Sequence, residues 1–69
     1  MNNTERYQIL VEEICEEHDC LSKIQREALG TLLHRHFTMK DHRYETAVEF
    51  LHMTDEIDLA TWRELTDLA

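Results

Sequence analysis

The residues best suited to chemistry cluster in Cys15-Glu16-Glu17-His18-Asp19-Cys20, which offers three nitrogen or sulfur ligands within six residues. Cys15 and His18 stand one helical turn apart, a workable spacing for two ligands of one zinc ion. His34, His36 and His42 follow further along. The rest of a zinc pattern is missing, because Cys15 and Cys20 lack the tight loop spacing of a metal knuckle and no second cysteine pair follows. Cys15, His18 and His36 also suit apolar helix faces, where a free cysteine behaves as a small hydrophobe. His34 and His36 lie about 200° apart on a helix and cannot chelate together while that helix continues. The expectation is therefore no cofactor, with Cys15, His18 and Cys20 as the lesser metal candidates.

Catalysis is a weaker reading still. A cysteine with a histidine is formally a nucleophile and base, but no Gly-rich loop or oxyanion-hole signature accompanies the pair. The carboxylates belong to solvated helix faces, and a non-enzymatic chain is expected.

Acid placement is more informative. Glu12, Glu13, Glu16, Glu17 and Asp19 crowd the end of the first helical segment. The helix dipole already presents negative charge there, and each carboxylate costs a few tenths of a kcal/mol, about 0.3 or more. The like-charged pairs Glu12–Glu16 and Glu13–Glu17, four residues apart, cost similar small amounts. Stability alone would favour Lys or Arg at these positions. Ile9 falls out of register with the apolar face and among the glutamates. Together, Ile9, Glu12, Glu13, Glu16 and Glu17 form the expected contact surface for a partner protein with a basic surface. The competing reading is a solvated face that keeps an acidic chain soluble.

The whole composition agrees with a protein partner more than with nucleic acid. The net charge is −8 over 69 residues, opposite to the basic footprint that phosphate backbones require. The bases Arg35, Lys40 and Arg43 gather near the middle, beside His34, His36 and His42. A helix-turn-helix built from the second and third helices would turn Glu45 and Glu49 toward phosphate, so no direct nucleic-acid contact is expected. Histidines titrating near pH 6.5 would cancel part of the charge on acidification. His36, on a core stripe, is the one whose charging would matter.

The elements that must position these residues are helical. The chain has no proline, one glycine and few β-branched residues. Four helices are expected. The first runs from Thr4 to His18 and buries Tyr7, Leu10, Val11, Ile14, Cys15 and His18. The second starts after Ser22, whose spacing to Gln25 is that of a capping box, and carries Ile24, Ala28, Leu29, Leu32, Leu33 and His36 inward. Gly30 falls on its opposite face, where it weakens the helix slightly. The third spans Asp41 to Met53 and buries Tyr44, Ala47, Val48, Phe50 and Leu51. The last follows Asp58 as N-cap, with Leu59, Trp62, Leu65 and Ala69 inward and Ile57 and Trp62 spaced as a hydrophobic staple. Short connections make successive helices antiparallel. The expected fold is an all-α, compact bundle of four short helices, or three plus a short C-terminal one, forming one domain over residues 1–69.

A chain this short buries only about 60% of its unfolded surface, and such chains often add a disulfide, a metal or a second subunit. No signal-peptide pattern and no apolar run of about 18 residues appear, so a cytoplasmic chain without a membrane span is expected, and there Cys15 and Cys20 are expected to stay reduced. Two functions fit: a regulator or inhibitor that docks on a basic partner, and a helical module whose surplus apolar surface makes a homodimer.

Overall fold

The computed structural model describes residues 2–69 as four α-helices: α1 (Asn3–His18), α2 (Lys23–Met39), α3 (Arg43–Met53) and α4 (Leu59–Asp67). Each boundary has a local cause. Asn2 accepts the Glu5 N–H at 2.8 Å and starts α1. Ser22 and Gln25 form the expected reciprocal cap of α2: the Gln25 N–H donates to Ser22 Oγ at 3.2 Å, and the Ser22 N–H to Gln25 Oε1 at 3.0 Å. Asp58 accepts the Thr61 N–H at 2.7 Å and starts α4. Asp41 was expected inside the third helix but precedes it. Its carboxylate accepts the Arg43 N–H at 3.0 Å, taking the role that His42, the N-cap residue, leaves open.

Two helices end through residues in the left-handed region. Asp19 (φ 51°) terminates α1, and its N–H reaches back to the Cys15 carbonyl. Lys40 (φ 53°) terminates α2, and the Asp41 N–H bonds the Arg35 carbonyl at 3.5 Å, the six-to-one pattern of a Schellman ending. Both reversals are tight, so each helix returns alongside its predecessor.

The helices form a ring. α1 packs on α2 and α4, and α3 packs on the same two, while among the described residues the diagonal pairs stay apart. Val11, Cys15, Leu29, Leu33, Tyr44, Val48 and Leu65 fill the centre, with Leu21, Leu51 and Ile57 closing it from the connections and the third helix. The Tyr44 hydroxyl crosses this core and donates to the Leu65 carbonyl at 2.9 Å, so the one large phenol in the centre is satisfied.

Gly30 corrects its expected place. It is buried, not on an outer face, and a Cβ there would lie 2.5 Å from Gln8 Cγ and 2.6 Å from Gln8 Cα. α1 and α2 approach so closely that only a glycine fits. The stripes are also narrower than expected. Leu10 (40% exposed), Ile24 (79%), Phe50 (62%) and Leu59 (48%) were read as inward-facing and are all open. In a ring of four, each helix has two neighbours and buries a seam, so residues at the margins of an apolar stripe stay uncovered.

Candidate functional site

The last two turns of α1 display the expected acids. Glu13, Glu16 and Glu17 are exposed and Glu12 is half-buried. No Lys or Arg stands in the last turn, where His18 is the only basic residue. His18 points across to α4, with Nε2 3.1 Å from Glu64 Oε1, and Glu17 converges on the same imidazole. Glu64 therefore extends the acidic surface from α1 onto α4. Sequence spacing could not reveal it, because 46 positions separate it from His18 (64 − 18).

Ile9 is open at 39%, as expected, and Leu10 joins it. With Arg6 and Glu13 they line a shallow depression of about 300 Å³ on the outside of α1. Leu10 is left uncovered because α4 is only nine residues long and meets α1 near His18, at the far end. Ile9 and Leu10 thus make an apolar step beside the glutamates.

The cysteine cluster does not assemble as a ligand set. Cys15 is buried in the core, its thiol pushed up by burial and by the adjoining Cys20, while His18 turns to the carboxylates of Glu17 and Glu64. Both thiols are free. A buried, protonated thiol is a poor nucleophile and a poor metal ligand.

A larger feature was not legible as a site in the sequence. Between α2 and α3 runs an open groove of about 490 Å³, lined by Ala28, Leu29 and Leu32 on one side and Ala47, Phe50 and Leu51 on the other. Gln25, Arg43 and Thr46 supply its polar atoms, and no carboxylate lines it. Ile24, one position before Gln25, and Met53, three after Phe50, are 79% and 75% exposed. The signal in the sequence was the width of the second helix's stripe, which exceeds what one seam between neighbours can cover.

The Arg43 guanidinium at the groove is not free. Its Nε donates to Asp41 Oδ2 at 2.7 Å, and the same carboxylate accepts the Arg43 backbone N–H. The bond to the guanidinium holds the Asp41 carboxyl down at about 2. Arg43 is therefore neutralised locally and offers the groove its aliphatic stem more than its charge.

The groove is a wide trough without converging acid, base and nucleophile, and the charged clusters sit elsewhere on the surface. No protein-family model, curated protein or solved structure matches this chain.

Proposed function

We propose that this chain is a small non-catalytic binding module, a regulator or inhibitor that docks on another protein carrying a basic surface. The single observation behind this reading is the α2–α3 groove. It is an apolar trough on the outside of a folded ring, lined in part by the large exposed Phe50. An apolar groove rimmed by polar residues is a form that interaction sites take. The groove supplies burial, and the net charge of −8 selects the partner. Glu12, Glu13, Glu16 and Glu17 beside Ile9 gather four carboxylates on α1, which would steer a basic protein inward before contact.

Charge and groove are separable in kinetics. Phe50→Asp should raise the dissociation rate of the captured partner. A Glu12/Glu13/Glu16/Glu17→Gln variant should lower the association rate and flatten its salt dependence. Surface plasmon resonance on the partner recovered from the native host distinguishes the two effects. A partner indifferent to both variants would overturn this reading.

A second reading places another copy of the chain in the groove. The absence of any carboxylate from its lining favours this, since two chains of charge −8 repel least across that face. A sedimentation coefficient that rises with protein concentration, and no longer does so in Phe50→Asp, would identify a homodimer.

A further inference from the structure

The reversal between α2 and α3 brings together three side chains that are distant in kind and close in space. His36 stands on the last turn of α2, His42 on the connection and Glu45 in the first turn of α3. The left-handed Lys40 turns the chain back, and Asp41 fixes the start of α3 by accepting the Arg43 N–H. His42 and Glu45 are thereby returned to His36.

The His36 ring is oriented. Its Nδ1 lies 3.1 Å from the Asp41 carbonyl oxygen, which can only accept, so in the neutral ring Nδ1 carries the proton and Nε2 keeps a lone pair. That lone pair faces the cluster: Nε2 is 4.0 Å from Glu45 Oε1. His42 Nδ1 is 3.8 Å from Glu45 Oε2. One ligand atom from each of the three residues lies within 4.8 Å of the others. The His36 side chain is 15% exposed, whereas His42 and Glu45 are 74% and 51% exposed and free to adjust.

We propose that His36, His42 and Glu45 form a zinc-binding site that clips the end of α2 to the start of α3. Two imidazoles and one carboxylate are a known three-ligand set for zinc, with a fourth position left to water. Nitrogen donors favour zinc over magnesium or calcium, which take oxygen ligands. Ligand atoms around tetrahedral zinc sit about 3.3 Å apart when metal–ligand distances are near 2.0 Å. Closing from separations of at most 4.8 Å needs shifts of up to roughly 1.5 Å, which the two exposed side chains can supply. The Nδ1–H to backbone carbonyl bond of His36 is the outer contact that metal-bound histidines ordinarily make, and it is already formed. The opposing charges are limited. The α3 N-terminus disfavours a cation weakly, and the neighbouring Arg43 is paired with Asp41.

The site is distinct from the sequence candidates Cys15, His18 and Cys20, and from the one-histidine group Glu17, His18 and Glu64. Variants at each separate them. Native mass spectrometry of metal-free protein with one equivalent of zinc should show one zinc per chain, and cobalt should give visible d–d absorption. His42→Ala and Glu45→Gln lie on exposed positions and should keep the helical circular dichroism. Each should weaken zinc binding by at least about tenfold, the loss expected from removing even an outer-shell partner. His18→Ala and Cys20→Ser should bind as the unaltered chain does. Zinc should raise the melting temperature of the unaltered chain but not of His42→Ala. Absence of a zinc adduct, retention of full affinity in both His42→Ala and Glu45→Gln, or loss of binding in His18→Ala or Cys20→Ser would overturn the proposal.

Discussion

Gly30 of α2 lies against the backbone of Gln8 of α1, so close that a methyl group at position 30 would fall 2.6 Å from Gln8 Cα. The contact is with main chain, which no side-chain rotation relieves. Gly30→Ala sets two effects against each other. The substitution improves helix propensity by about 1 kcal/mol, while forcing two packed helices apart costs about 1–3 kcal/mol. Net destabilisation is expected, with a lower melting temperature by circular dichroism. A more stable Gly30→Ala protein would mean that the two helices do not approach as described.

Tyr44 and Leu65 make the corresponding test of the other side of the ring. Removing the buried hydroxyl in Tyr44→Phe leaves the packing intact and deletes the 2.9 Å bond to the Leu65 carbonyl. That carbonyl also receives the Leu68 N–H at 3.3 Å, so it is not left wholly unpaired. The expected loss is about 1 kcal/mol, equivalent to a melting temperature lower by about 4–8 °C in a domain of this size. Burial also pushes the Tyr44 phenol above its ordinary value. Its ultraviolet phenolate signal should therefore rise above the ordinary tyrosine range, or only on alkaline unfolding.

Acid should loosen the starts of α3 and α4. The Asp41 carboxyl is held at about 2 by its hydrogen bonds to Arg43, first from the guanidinium and then from the backbone. Asp58 is held below its ordinary value by the backbone N–H of Thr61. Carboxyl groups depressed on folding stabilise above their unfolded value of 3.8 and lose that contribution as pH falls through the folded one. The urea midpoint should accordingly decline between about pH 4 and pH 2. Asp41→Asn and Asp58→Asn should each flatten the decline, and an unchanged profile in both would place the acid sensitivity elsewhere.

Thiol labelling reads the core directly. Cys15 is 2% exposed and its thiol is pushed up by burial, whereas Cys20 is half-buried at the turn. Under native conditions a maleimide should modify Cys20 first, with Cys15 reacting only as fast as the bundle opens. Equal rates at the two positions would show that α1 is not seated in the core.

The helices themselves were legible from local chemistry. Zero prolines, the Ser22–Gln25 pair and Asp58 fix where helices can run and begin, because a cap acts within three residues of itself and needs no tertiary partner. The all-α class and the antiparallel succession follow from these starts and the short connections. The acidic end of α1 was equally visible, since charges on one helix face are set by spacing alone.

What covers an apolar residue was decided only by the ring. Leu10, Ile24, Phe50 and Leu59 have the periodicity of core residues, yet their neighbours leave between 40% and 79% of each exposed. The same ring turned Gly30 from an apparent defect into the closest point between two helices. It also carried Glu64 across to His18, while the local reversal at Lys40 returned His42 and Glu45 to His36. The sequence determined which surfaces are apolar, charged or capped, because those properties belong to single residues and their near neighbours. Tertiary structure decided which of these surfaces meet, because that depends on the length and placement of the other helices.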